Sequence, residues 1–156
     1  MLSNLSHFLD KAEKDAAARK YDPLILAQYR LAPDMLPLSR QITIACDAAK
    51  NGVARVGGLE APRFDDTEAT LAQLKERIHK TLDWLATVPR DKLDGSEERE
   101  ITFPVGRETT RTMKAEAYLK HWMMPNFYFH VTMAYAILRH NGVELGKSDY
   151  LAGAPA

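Results

Sequence analysis

The sequence has little of several features that usually indicate function in a small protein. One cysteine, Cys46, stands in 156 residues, which excludes an intramolecular disulfide and a zinc cluster built from cysteines. Neither charge is in excess, since 21 basic residues balance 21 acidic ones. No whole-chain field therefore attracts nucleic acid or an anionic membrane, and we expect neither as a partner.

Long apolar runs and glycine-rich loops are also missing. No stretch approaches the roughly 20 apolar residues of a membrane span. The start, M-L-S-N-L-S-H-F-L-D-K, mixes apolar and polar residues as an amphipathic helix does and a secretory signal does not. No phosphate loop or serine nucleophile motif is present. The sequence predicts one cytoplasmic domain over residues 1–156, with 46% apolar residues to form a core.

What the sequence does contain is helical periodicity. Four segments carry apolar residues at helical spacing. They are Leu2 to about Ala18, a second from Asp34 to the stop at Gly57-Gly58, a third that starts near Asp65 and ends before Pro89, and a fourth from about Lys114 to His140. Asp34 is the predicted cap of the second helix, and Asp65 with Glu68 has capping-box spacing for the third. A short helix from Leu24 to Arg30 precedes the second.

Between the third and fourth helices the chain is rich in β-branched residues. Glu100 to Pro104 and Arg107 to Thr112 flank Val105-Gly106 and predict a small β-hairpin. Pro125 predicts a kink in the fourth helix, because its ring clashes with the carbonyl four residues back. The tail from Val143 to Ala156 is expected to pack through its apolar residues, Leu145, Tyr150 and Leu151. The economical fold is mainly α, an antiparallel four-helix bundle with a hairpin insert between helices three and four.

The fourth helix carries the candidate site residues. Asn126 and His130 are four residues apart, so both lie on the face that holds Ala134 and Ile137, and two such side chains can converge on one ligand. A polar pair on that face needs protein partners or a bound group. His130 is either a core histidine bonded to a protein group, or a metal ligand or proton carrier. The residues alone leave both interpretations open.

A partner for His130 should come from the second helix, since metal sites in bundles use inward-facing residues of facing helices. Gln41 and Cys46 are the polar or soft groups there, and Cys46 is more typical of a small buried hydrophobe. Together, Gln41, Asn126 and His130 would make a poor zinc site, because zinc prefers imidazole, thiolate and carboxylate ligands.

Two other side chains are candidates for a pocket. His121 stands nine residues before His130, on the opposite side of a straight helix. The kink at Pro125 would turn it inward, and without that rotation it is exposed. Asp34 lies close in sequence to Arg30 and Arg40, where the three would form a polar mouth; helix capping is its alternative role.

Four segments of the chain carry a family resemblance. They are L-A-P-D-M-L-P-L (31–38), F-D-D-T-E-A-T (64–70), P-N-F-Y-F-H (125–130) and A-Y-A-I-L-R-H-N-G-V-E-L-G-K (134–147). Together they resemble an uncharacterised, mostly bacterial family of domains of unknown function in the DinB/YfiT-like four-helix-bundle superfamily. The resemblance implies the fold and a homodimer. A shared interface also agrees with the aromatic residues around the fourth helix, namely Trp122, Phe127, Tyr128, Phe129 and Tyr135.

The resemblance also implies where a site would lie. In the metal-binding branch of that superfamily, one histidine lies on helix two and an H-x-x-x-H pair on helix four. The matching positions here are Gln41, Asn126 and His130, so two of the three ligands are replaced. The favoured expectation is a non-catalytic bundle with a degenerate site, no cofactor and a small-molecule pocket between helices two and four. The alternative is a metal-dependent, thiol-transferase-like enzyme that holds zinc or nickel through His130.

Overall fold

Helices form most of the computed structural model, which describes residues 1–106 and 108–152. The elements are α1 (Leu2–Arg19), α2 (Leu24–Gln28), α3 (Leu38–Gly57), α4 (Leu71–Thr87), a 3-10 turn (Arg90–Lys92), β1 (Glu100–Val105), β2 (Thr109–Lys114), α5 (Ala115–Tyr118), a π-helical turn (Leu119–Met123), α6 (Met124–His140) and α7 (Lys147–Ala152). The mainly α bundle with a hairpin between its third and fourth long helices is confirmed. Arg107 of the predicted hairpin and residues 153–156 of the predicted tail lie outside the described residues.

The four long helices pack around one core in the cyclic order α1, α4, α3, α6. Their predicted apolar stripes supply that core, including Leu5, Leu9, Leu38, Ile42, Leu74, Ile78, Val131 and Ile137. The helix α1 lies diagonally across the bundle from α3, and α4 lies diagonally across from α6. This arrangement explains the long connections after α1 and after α4. Within the described residues, no helix has an apolar stretch long enough to cross a membrane.

The expected antiparallel order of all four helices is wrong, because α3 and α4 run in the same direction. After α3 ends, the chain returns along it: Lys50 Nζ donates to the carbonyl of Pro62 at 2.5 Å, and Arg40 pairs with Asp66 at 2.6 Å. The chain is thus back near the start of α3 when α4 begins. Beyond the end of α4, Leu93 packs against the end of α3.

The start of α3 differs from the predicted capped start. The helix begins directly after Pro37, which lies in an extended conformation, and it has no side-chain cap. Asp34, the predicted cap, is an exposed residue on the connection. Two residues before the helix, the backbone carbonyl of Leu36 accepts a hydrogen bond from the Gln41 side chain.

The start of α4 is also displaced from its prediction. Thr70 and Gln73 form its capping box, with the Thr70 hydroxyl accepting from the Gln73 N–H at 3.2 Å and the Gln73 side chain accepting from the Thr70 N–H at 3.0 Å. The predicted pair, Asp65 and Glu68, has the same spacing but lies before the helix. Glu68 binds Arg77 instead, so a tertiary ion pair takes the side chain that the local pattern assigned to the cap.

The predicted fourth helix is present as α5, the π-helical turn and α6, and the kink predicted at Pro125 corresponds in position to an irregular turn just before it. Pro125 lies two residues after the turn. Proline has no N–H to donate to the carbonyl four residues back, and the wide turn accommodates the missing bond. Gly52 of α3 permits a close approach, since a Cβ there would overlap Met123. The turn also places Trp122 against Phe103 of the hairpin, with ring centroids 5.1 Å apart.

The last described helix, α7, folds back along α1. The Asp149 carboxylate accepts from the Gly146 N–H at 2.7 Å and contacts His7 and Lys11 at 3.1 and 3.0 Å. These bonds, the one from Gly146 foremost, lower the pKa of Asp149 to about 2. Of the predicted packing residues, Leu145 and Tyr150 join the main core, whereas Leu151 is 66% exposed.

Candidate functional site

Gln41 and His130 meet inside the seam between α3 and α6. The His130 Nδ1 lies 2.7 Å from the Gln41 Oε1, and the Gln41 Nε2 donates to the carbonyl of Leu36 at 3.0 Å. His130 is 8% exposed and Gln41 is 2% exposed. The predicted neighbours on helices two and four are therefore in direct contact, and a main-chain carbonyl completes the chain of hydrogen bonds.

This hydrogen-bond chain determines which ring nitrogen of His130 carries the proton. The carbonyl of Leu36 only accepts, so the amide nitrogen of Gln41 must face it and the amide oxygen must face the ring. Nδ1 is therefore protonated in the neutral ring, and Nε2 carries a lone pair. Burial lowers the pKa of His130 below its usual value, because removal from water disfavours the imidazolium.

The other predicted site residues do not join this pair. Asn126 is exposed, contrary to the expectation that it faces the core, because α3 and α6 are separated by an open groove at its level. His121 is exposed, so the π-helical turn does not bring it inward. Asp34 is exposed as well. Cys46 is buried, and burial raises the pKa of its thiol to about 12, so it is protonated at neutral pH.

The donors near His130 do not fit a divalent transition metal. The Gln41 oxygen accepts from Nδ1–H, so it lies beside the wrong ring nitrogen to share a metal with Nε2. Asn126 offers only a neutral amide. Within the described residues, no three side chains of histidine, cysteine, aspartate or glutamate lie close enough together to hold a metal ion. Zinc and nickel sites need such ligands, so the residues near His130 do not fit either metal.

An open groove lies one helical turn from His130, between α3, the π-helical turn and the hairpin. We call it the Trp122 groove. It has a volume of about 220 Å³, and its polar and aromatic lining consists of Asp47, Asn51, Arg55, Tyr118, Trp122 and Asn126. The first three form a row at four-residue spacing on α3, and this row also borders a second groove under the loop from Leu59 to Asp66.

Arg55 is turned toward the hairpin side of that row. Its Nη1 donates to the Tyr118 hydroxyl at 2.9 Å, and its guanidinium carbon lies 5.9 Å from the centroid of the Phe103 ring. Among the described residues no carboxylate lies within ion-pair distance of Arg55. The acid on the same row, Asp47, is bonded to Arg77 at 2.9 Å and lies 3.3 Å from Lys50. The groove thus contains a fixed cation with unused donors.

Sequence reasoning missed a buried charge cluster centred on Arg77, which is 2% exposed. Its Nη1 donates to Glu68 at 2.9 Å and its Nη2 to Asp47 at 2.9 Å, while its guanidinium lies over the Phe64 ring at 4.8 Å. The available signal was a cation on the apolar stripe of α4, three residues after Leu74, preceded by the acidic F-D-D-T-E segment. The cluster fastens the returning loop to α3 and α4.

Comparison with known proteins agrees with this architecture. Residues 1–151 match the family model described as a domain of unknown function, DUF1993. The chain is also similar to the crystal structure of a DinB family member protein from Shewanella denitrificans, with 42% sequence identity and a TM-score of 0.90, over 100% of this chain and 88% of that one. No curated protein matches the chain. The resemblance drawn from the sequence is confirmed: the chain belongs to the DUF1993 family of domains of unknown function, and its fold is that of a DinB family member.

Proposed function

We propose that the protein is a non-catalytic bundle that binds a small molecule in the Trp122 groove, between the second and fourth long helices. The observation that carries the proposal is the Arg55 guanidinium, held in the groove beside an indole and free of any carboxylate among the described residues. Small-molecule sites are concave, with apolar walls and a few placed polar groups. The groove sets the apolar side chains of Ile44, Val105, Trp122 and Met123 beside the polar groups of Asp47, Asn51, Arg55 and Asn126.

The proposal of a non-catalytic role rests on the state of the reactive groups. Asp47, the acid in the groove, is already bonded to Arg77 and lies beside Lys50. The Cys46 thiol is buried and protonated at neutral pH. His130 lies outside the groove and is bonded to Gln41. General acid–base catalysis needs a titratable group within hydrogen-bond reach of the reacting atom, and these three groups do not supply one.

One observation favours the alternative, a metal-dependent enzyme. The Nδ1–H bond to Gln41 leaves the Nε2 lone pair of His130 available, and histidines that bind metals commonly have their other ring nitrogen fixed in this way. The remaining ligands would then have to come from outside the set that the described residues provide near Nε2.

Metal analysis of protein purified without chelator or histidine tag discriminates between the two functions. We expect substoichiometric zinc and nickel, with the same content in wild type, in His130→Ala and in His121→Ala, an exposed histidine on the same helix that serves as the matched control. Stoichiometric metal that disappears in His130→Ala and persists in His121→Ala would reverse the assignment in favour of the enzyme.

A further inference from the structure

We infer that the ligand of the Trp122 groove is a small carboxylic acid, bound as its monoanion through Arg55. This inference rests on the proposed function, because it names the ligand class of the same groove. The Arg55 Nη1 bond to the Tyr118 hydroxyl fixes the guanidinium at the groove and leaves its other N–H donors for a ligand. A guanidinium presents its donors as a planar fork that matches the two oxygens of a carboxylate.

The site is built to hold this cation in place. Arg55 lies between the ring of Phe103, 5.9 Å from its guanidinium carbon, and the ring of Tyr118, 6.0 Å away. Both rings are buried. Contacts of this kind attract a cation and restrict its side chain. A guanidinium that is fixed before binding loses less conformational entropy when a carboxylate arrives.

Charge selects a monoanion over a dianion such as phosphate. Asp47 borders the same groove, and its negative charge is matched by Arg77 at 2.9 Å and Lys50 at 3.3 Å. Arg77 and Lys50 both pair with Asp47, so neither is available to bind a ligand. Arg55 is thus left as the positive charge with open donors on this face of α3. A second negative charge on the ligand would lie near Asp47, and the described residues that line the groove provide no second cation for it.

The other side chains of the groove and its volume limit the size of the acid and the kind of group that its carboxylate can carry. The half-buried Trp122 ring lies between Phe103, at 5.1 Å, and Arg111, at 5.9 Å, so its orientation is fixed. The amides of Asn51 and Asn126 line the groove, and in the described part of the chain neither has a hydrogen-bond partner. The volume of about 220 Å³ is below the roughly 300 Å³ at which drug-sized sites begin. The acid therefore has a single ring or a short chain.

The test follows the side-chain N–H resonance of Trp122 in a Trp84→Phe protein, where it is the sole indole signal. The probes are benzoate, phenylacetate and butyrate, each compared with its uncharged primary amide. We expect saturable shifts with the acids and binding that is roughly tenfold or more weaker with the amides, since a hydrogen bond to a charged group contributes that much more than a neutral one. Equal binding of acids and amides would overturn the carboxylate assignment and retain the groove. No shift with any of the six compounds would overturn the assignment and the proposed function together.

Two variants separate recognition from folding. Arg55→Gln removes the charge and should abolish the preference for acids. Because that change also disturbs the bond to Tyr118, Asn126→Asp serves as the second variant. Asn126 is exposed, so the fold is retained, and a new carboxylate in the groove should weaken the acids several-fold while leaving the amides unchanged. Acid binding that is unaffected by both substitutions contradicts the inference.

Discussion

The protonation of the buried His130 side chain is set by a backbone carbonyl, which acts through the amide of Gln41. The carbonyl of Leu36 orients the Gln41 amide, and the amide oxygen then requires a proton on the Nδ1 of His130. The Nδ1 of His130 and both polar atoms of the Gln41 amide thereby have partners, as buried polar groups need. A histidine held in this way is neutral at physiological pH.

The first prediction concerns the titration of His130. Its folded pKa is lowered by burial, so the unfolded chain binds a proton more readily than the folded one. Above about 6.5, the unperturbed pKa, the ring is neutral in both the folded and the unfolded chain, so its titration does not change the free energy of unfolding. As the pH falls below that value the free energy of unfolding declines, until the folded pKa is reached. An NMR titration of the imidazole should give a pKa below 6.5, and a value at or above it would contradict the buried neutral ring.

A substitution of Gln41 tests the same chain of hydrogen bonds from Leu36 to His130. Gln41→Glu places a carboxylate beside Nδ1, and an acceptor with a negative charge favours the imidazolium. The pKa of His130 should therefore rise in this variant. Gln28→Glu, at an exposed position on α2, is the matched control and should leave the titration unchanged.

Sequence reasoning reached this pair but not its surroundings. Helix periodicity predicts that a partner of His130 comes from the second helix, as Gln41 or Cys46, and the family resemblance selects Gln41. The carbonyl of Leu36 could not be predicted, since it depends on how the chain enters α3 after Pro37. Asn126 follows the same periodicity as His130, yet it is exposed, because the spacing between helices varies along the seam. Helical periodicity predicts on which face of a helix a residue lies, but it does not predict how far away the neighbouring helix is.

At the level of elements, the loop from Gly58 to Thr70 determines the direction of α4. Two consecutive helices can run the same way only if the chain returns along the first, and a return path needs contacts that hold it. Arg77 supplies them from α4 by binding Glu68 and the carbonyl of Asp65, while Lys50 binds the carbonyl of Pro62 from α3.

The side chain of Arg77 is expected to contribute strongly to the stability of the fold. Arg77→Ala leaves Glu68, which is mostly buried, and Asp47 without their main cation. Removal of one partner from a buried ion pair is strongly destabilising, and we expect a loss of about 3 kcal/mol in the free energy of unfolding, at the low end of the range because Asp47 and Asp66 are partly exposed. Urea unfolding measures it. Lys80→Ala, on the same helix at an exposed position, should cause little change, and an equal loss in both variants would contradict the role of the cluster.

The elements themselves were largely predictable, whereas their directions were not. Apolar stripes and the Gly57-Gly58 signal locate α3 well, and Gly58 ends it in the left-handed conformation that favours glycine. The cap of α4 was misplaced because Asp65 with Glu68 and Thr70 with Gln73 have the same spacing. Local spacing cannot separate two such pairs when a tertiary contact, the one from Arg77, decides between them.

At the level of the whole molecule, several large apolar side chains are exposed. Tyr128 and Phe129 on α6 are 42% and 51% exposed, and Leu36 before α3 is 45% exposed. Leu36 and Phe129 both adjoin the Gln41–His130 pair, the first through its carbonyl and the second through an edge contact of the rings. Clustered apolar residues of this kind mark interaction surfaces.

We expect a second copy of the chain to cover this surface, as a symmetric homodimer. A zero net charge imposes no long-range repulsion between copies. Sedimentation at tens of micromolar should give twice the mass of the chain, and Phe129→Glu should shift it toward the monomer. Ala72→Glu, at an exposed position on α4 across the bundle from α6, is the control and should remain dimeric. A monomeric wild type would refute the dimer.

The cyclic order of the helices has a consequence for synthesis on the ribosome. The main neighbours of α1 are α4, α6 and α7, and the earliest of them begins at Leu71. The apolar stripe of α1 therefore emerges from the exit tunnel long before anything can bury it, whereas α3 and α4 are adjacent in sequence and pack as soon as both are made. Domains assembled from such distant contacts fold late and expose apolar surface on the way. For this chain, we expect the stripe of α1 to be most exposed to chaperones and to aggregation between the synthesis of α1 and that of α4.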